Sequence, residues 1–268
     1  MRLTLSAIRP TKIARIVLLV SLVLPFGVQA AGEDAVCVFI SQQGNAWVIR
    51  KDSSVKSTLK IGDPIFEGDK LVVTHGNNVQ LAFDKQAQNV VQIDEDTTIK
   101  ITGSKPANIN LDQGRIFAIL DKPGVESHFK VFTPTAVAAV RGTHYQVNFA
   151  GQQTQVSTYR GEVRVAGRDA QGRETKDYVL VGAGKKTTVE SLGKAPSLPQ
   201  DMSAEEKGGI EPVLQKITDA KEWTKSPQAA GSFASEAKSP EANAGEPSKM
   251  VKSAKEEKKQ AEKGLIVF

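Results

Sequence analysis

The sequence predicts an all-β domain over residues 35–190. The arrangement is a sandwich or roll of many short strands, with a β-solenoid-like stack as the alternative, followed by a largely disordered tail that holds one short helix. Three observations predict it. Short β-branched and aromatic runs recur about every 8–12 residues from Ala35 to Glu190, separated by clusters of Gly, Asn and Asp. No window in that region carries an apolar stripe of helical period. From residue 191 the composition shifts toward Pro, Ala, Glu, Lys and Ser, too poor in apolar residues to offset the entropy of ordering.

Ahead of the domain, residues 1–30 have the layout of a secretory signal peptide. Arg2, Arg9, Lys12 and Arg15 precede the apolar run Ile16–Leu24, and Val28-Gln29-Ala30 supplies small residues at a cleavage point after Ala30. The run is short for a membrane span, so no stable span is expected after cleavage and the expected compartment is the periplasm or another exported location. This segment holds four of the 35 Lys and Arg and none of the 30 Asp and Glu, which leaves 31 against 30, a net +1. A basic nucleic-acid footprint is therefore not expected. The single cysteine, Cys37, lies in V-C-V-F-I and reads as a small buried hydrophobe.

The strands expected in order are Val36–Ile40, Ala46–Ile49, Lys70–Thr74, Val79–Phe83, Asn89–Ile93 and Thr97–Ile101. Then follow Arg115–Leu120, Phe129–Thr133, His144–Phe149, Gln155–Tyr159, Glu162–Ala166, Tyr178–Val181 and Thr187–Val189. Turns fall at Ile61-Gly62-Asp63, Glu67-Gly68-Asp69 and Thr74–Asn78, where glycine supplies positive φ and Asp or Asn bonds nearby backbone.

The chain is organised around Val131–Phe149. In its last strand Thr143, Tyr145, Val147 and Phe149 face one way and His144, Gln146 and Asn148 the other, which predicts one buried and one wet face. Gly142, next to a charged residue in an apolar run, marks a bulge or a close backbone approach. Arg141 beside it is expected to be buried and paired, with Asp63, Asp69 or Glu162 as its partner. Arg141, Gly142, Thr143, Asp63, Asp69 and Trp223 are thus the structural or binding candidates.

In the tail, Pro212–Trp223 is the expected helix. Pro212 suits a first helical position, and Val213, Ile217 and Ala220, with Leu214 and Trp223 beside them, form an apolar stripe for docking on the domain or on a partner. Lys252–Lys263 reads as a second, frayed helix of mixed charge.

These pieces together resemble the FecR domain, the periplasmic module of iron-dicitrate sensor regulators and of many exported bacterial proteins. The matching residues are Gly44 with Trp47–Arg50, Leu59–Asp63, Gly68-Asp69 with Leu71 and Thr74, Val79–Phe83 and Leu111–Arg115. Phe129–Thr135, Val137–Tyr145, Tyr159–Val165 and Gly182–Gly184 complete them. The paired Gly-Asp steps and the Val-Arg-Gly-Thr corner are the most specific parts. Regulators of the family carry a cytoplasmic anti-sigma region and a membrane helix ahead of the domain, and a small receptor-contacting domain after it. Here a signal-peptide pattern and a Pro-, Glu- and Lys-rich tail stand in those places, so the resemblance implies fold and compartment more than sigma-factor signalling.

His75, His128 and His144 are far from one another and from Cys37 in sequence, which is not metal-ligand spacing, and no metal or cofactor is expected. Asp94, Glu95 and Asp96 sit at an expected turn and read as solvated. The expected function is a non-catalytic exported module that binds or scaffolds an envelope protein or cell-wall polymer. The alternatives are an accessory sensor in iron- or siderophore-linked signalling and a protein that modifies the cell wall.

Overall fold

Alternation of apolar and polar residues lays the chain into two layers. The computed structural model describes residues 35–104, 107–121 and 129–225. The chain divides into Met1–Ala31 and Gly32–Phe268, and every described residue lies in the second unit. The signal-peptide segment, the helix expected at Lys252–Lys263 and the tail beyond Lys225 fall outside the described residues.

Along the chain, β1 (Cys37–Gln43) lies in a front sheet, β2 (Ala46–Ile49) and β3 (Lys56–Thr58) in a back sheet, β4 (Pro64–Ile65) in front and β5 (Lys70–Val73) behind. The hairpin of β6 (Asn78–Ala82) and β7 (Asn89–Ile93) returns to the front, and β8 (Thr97–Ser104) to the back. The long β9 (Ala107–Leu120) belongs to both. After it, β10 (Phe129–Phe132) and β11 (Ala136–Val140) form a back hairpin, and β12 (His144–Ala150) and β13 (Gln153–Arg160) a front one. Another back hairpin, β14 (Glu162–Arg168) and β15 (Glu174–Gly182), precedes β16 (Lys185–Val189) and β17 (Gln200–Asp201) at the front edge.

In space the front sheet runs β4-β1-β6-β7-β9-β12-β13-β16-β17 and the back sheet β3-β2-β5-β8-β9-β10-β11-β14-β15. Among the described residues the pairings are antiparallel except for β9 with β10.

The hinge between layers is written into β9. Ile109 and Leu111 point inward from the back sheet, whereas Ile116, Ala118 and Leu120 point inward from the front, so the buried set switches from odd to even numbers. Gly114, at φ +93°, absorbs the switch, and a Cβ there would meet the Thr97 backbone Cα at 2.7 Å. The inner faces of both sheets share one core, in which Phe39, Leu81, Ile93, Tyr145 and Val147 meet Val48, Leu71, Ile99, Val131 and Val165. The wet and buried faces expected for β12 are both present: Thr143, Tyr145 and Val147 are buried, and His144, Gln146 and Asn148 are partly exposed. Cys37 is buried in this core, and burial pushes its thiol up, out of the reactive range.

The front sheet also buries its outer face. Val38, Ile40, Ala82, Val90, Phe117 and Ile119 meet Ile210, Val213, Ile217 and Ala220 of the segment after the sheets. There α1 (Ala204–Gly208) is opened by a capping box between Ser203 and Glu206, and α2 (Glu211–Thr224) lies on β1 and β7. Each Val or Ile so covered contributes about 1.5–3 kcal/mol before the cost of ordering the chain. The expected helix is thus present and docked by the expected stripe, one residue longer at each end.

Several short strands lacked a sequence signal: β3, β4, β17, the run Ala136–Val140 that forms β11, and the first half of β9. Residues 191–225 also differ from the composition-based expectation of a mostly disordered tail with one short helix. They return across the sheets, with Gly193 N donating to Arg168 O (2.7 Å), Ser197 N to Thr188 O (2.8 Å) and Met202 N to Gly184 O (2.9 Å). Backbone pairing and a few buried anchors order this stretch, which an average over composition does not register.

Candidate functional site

The front sheet's outer face is half apolar and half polar, and α2 covers only the apolar half. Where α2 begins, a cleft of about 490 Å³ opens over the polar half. Its floor is set by strand alternation. Gln92 on β7, Gln146 on β12, and Gln155 and Ser157 on β13 all point out of the sheet, and Phe117 and Tyr159 form an aromatic wall. Gly76, Asn77 and Asn78 rim one side, and Glu206, Pro212, Val213 and Lys216 the other.

The floor is wired together. Gln80 Nε2 donates to Gln92 Oε1 (3.1 Å), Gln92 Nε2 to Asp94 Oδ1 (2.8 Å), and Arg115 Nε to Asp94 Oδ2 (2.6 Å). The Arg115 guanidinium lies 5.7 Å from the Phe117 ring centroid, and Tyr159 donates its hydroxyl proton to Gln146 Oε1 (3.1 Å). Burial raises the Tyr159 hydroxyl above its ordinary pKa, against the opposing charge of Arg115. Across the cleft, the hydrogen bond from Lys186 Nζ (2.5 Å) and then the Ser203 backbone N–H hold the Glu206 carboxyl below its usual range. These groups present amide donors and acceptors, two rings and tethered charges. Ser157 Oγ accepts from Gln155 Nε2 (3.4 Å) and so meets an amide at the place where a nucleophile would need a base.

A second hollow, about 470 Å³, adjoins it at the bend of β9, between Asp94–Asp96, Asp112–Arg115 and Asn148–Gln152. Asp94 is nearly buried and paired, unlike the solvated acid expected at this turn. Glu95 and Asp96 are exposed as expected, and His75 Nδ1 approaches them at 3.1 and 3.0 Å. The hydrogen bond to Asp96, then the charge of Glu95, raises His75 above its ordinary pKa of 6.5. His144, on the wet face of β12, pairs with Asp121 at 2.7 Å.

The candidates taken from sequence fall elsewhere. Arg141 is exposed, not buried, and has no ion-pair partner among the described residues. The reason is Gly142: at φ +68° it turns the chain out of the sheet before β12 resumes, so the side chain ahead of it faces water. Close approach at Gly142 does occur, because a Cβ on Gly161 would come within 2.9 Å of its carbonyl oxygen. Thr143 is buried and donates to Glu162 O (3.3 Å), while Glu162 itself is exposed. Asp69 is the buried acid, but its cation is Arg50, at 2.6 Å, and it also accepts from Phe66 N (2.9 Å). Asp63 accepts from Lys60 N (2.7 Å) and closes its own turn. Trp223 lies in the last turn of α2, with its side chain outside the description. The cleft residues were missed, although matched glutamines in N-V-Q-L-A and N-V-V-Q-I put an amide at the same outward place on adjacent strands.

Fold and cleft together define a two-layer β module whose front face is partly roofed by its own C-terminal helix. Residues 69–164 match the FecR protein family model, and the chain carries a FecR domain. No curated protein matches it in sequence. Two crystal structures of a candidate anti-sigma factor from Parabacteroides distasonis ATCC 8503, at 1.65 and 2.50 Å resolution, are similar in part. They have 17% and 16% identity and TM-scores of 0.40 and 0.41. The match covers 51% and 56% of this chain, and 61% and 71% of those chains, so this chain spans about three-fifths of the first.

Proposed function

We propose that this protein is an exported, non-catalytic FecR-domain module that holds an extended segment of an envelope protein in the cleft beneath α2, as a regulator in cell-surface signalling. The FecR match supports the signalling role, and the signal-peptide pattern of residues 1–30 supports the periplasm. Among the described residues, no helix is long and apolar enough to cross a membrane.

One observation carries the cleft as the working site. On the half of the front sheet's outer face that α2 leaves uncovered, Gln92 on β7 and Gln146 on β12 flank Phe117 of β9 in one row, with Ser157 and Gln155 of β13 beside them. Side-chain amides both donate and accept, which suits the alternating N–H and C=O groups of an extended peptide. The test is a photo-crosslinking residue placed at Gln155, in the cleft, or at Gln171, in the exposed β14–β15 turn, in intact cells. Capture of one protein from Gln155 and not from Gln171 is expected. Equal capture from both, or none from Gln155, would overturn the reading.

A further inference from the structure

Among the described residues α2 packs on β1 and β7 of the front sheet, whereas the back sheet's outer face carries a one-sided row of charge. Register places Lys56 beside Ile49, Ile49 beside Lys70 and Lys70 beside Lys100, so three lysines share one row across β3, β5 and β8. One outward position along, Lys130 on β10 pairs with Ala139, which pairs with Arg164 on β14. At about 4.8 Å between neighbouring strands, the seven steps from β3 to β14 carry these five cations over roughly 34 Å. Asp112 meets Lys70 (3.4 Å) and Glu174 meets Arg164. Lys56, Lys100 and Lys130 have no carboxylate partner among the described residues.

Lys70 and Lys100 are direct cross-strand partners, an arrangement that costs stability when nothing neutralises it. Edge protection accounts for Lys56 on the outermost strand, but not for Lys100 and Lys130 on interior strands. Aromatic rings lie in the same face, each with a cation over it: Lys56 at 5.7 Å from the Trp47 ring, Arg168 at 5.8 Å from Phe132, and Arg164 at 4.2 Å from Tyr178. Asn108 and Asn110 stand between the lysines.

We infer that this face docks an anionic polysaccharide of the polyuronate type, laid across the strands. Charge complementarity selects a polyanion. Cations spaced strand by strand across the sheet suit a chain that touches each strand once. The exposed Tyr178 ring, the half-buried Trp47 and Phe132 rings and the Asn110 amide suit sugar C–H faces and hydroxyls better than they suit an acidic peptide. This surface is independent of the cleft beneath α2.

The experiment measures binding of the purified full chain to polygalacturonate by co-sedimentation at 20 and 300 mM NaCl, with neutral dextran and poly-L-glutamate as comparisons. Binding at low salt that falls at least tenfold at high salt is expected, with dextran unbound and poly-L-glutamate weaker than polygalacturonate. Lys100→Gln combined with Lys130→Gln should weaken binding at least fivefold without lowering the melting temperature, since it removes the repulsion between Lys70 and Lys100. The inference is overturned by no binding at low salt, by binding that the double variant leaves intact, by equal binding of dextran, or by equal or tighter binding of poly-L-glutamate. Capture in the cleft is unaffected by any of these results.

Discussion

Replacing Asp69 by alanine should unlatch the turn that follows β4. The Asp69 side chain is 2% exposed, and it accepts from Arg50 Nη1 (2.6 Å), Phe66 N (2.9 Å) and, at the long limit, Lys51 N (3.3 Å). Breaking a buried pair by deleting one member costs about 3–5 kcal/mol, because the partner is left without its counter-charge. Arg50 keeps its bond to Pro64 O (2.9 Å) and is 27% exposed, so water recovers part of the loss and the lower end, about 3 kcal/mol, applies. For a domain of this size that is a fall of about 6–12 °C in melting temperature. Arg141→Ala, at an exposed corner, should stay within about 0.5 kcal/mol of the parent. Thermal melts of the two variants, followed by circular dichroism, decide the matter. If Arg141→Ala loses as much as Asp69→Ala, or Asp69→Ala melts within about 2 °C of the parent, which is less than 1 kcal/mol by the same conversion, the assignment of the buried pair is wrong.

Other perturbations follow from the same geometry. The Tyr145 hydroxyl is buried with no hydrogen-bond partner among the described residues, so Tyr145→Phe should match or exceed the parent in chemical denaturation, and a clear loss would reveal a partner. Gly114→Ala puts a Cβ against the Thr97 backbone at a positive φ, so it should cost at least about 1–3 kcal/mol; an unchanged midpoint would refute the hinge in β9. Because His75 titrates above 6.5 in the folded state, its contribution is fully present below that pH and is lost as pH rises through the raised value. The melting difference between the parent and His75→Gln should therefore be larger at pH 6 than at pH 9, and equal differences would contradict the pairing with Glu95 and Asp96.

Much of the fold was legible because period-two alternation is a local signal. His144–Ala150 and Phe129–Phe132 announce both their strand and its buried face. Strands such as Ala136–Val140 were not, because small apolar residues on both faces leave no alternation to read. The tail misled for another reason: Met202, Ile210 and Val213 are sparse anchors whose effect depends on the sheet face they meet. The Gly-Asp steps correctly marked structural acids, but the cation for Asp69 lay 19 residues away, at Arg50, a distance that no local pattern reports. The cleft is legible only after folding, since Gln92, Gln146 and Gln155 come from three strands brought together by register.

Hydrogen–deuterium exchange of the full chain, alone and with the protein captured from Gln155, tests the central claim most directly. The account predicts added protection in β6, β7, β12, β13 and the first turn of α2, with exchange in the back sheet unchanged. Protection confined to the back sheet, or to none of these strands, would contradict it.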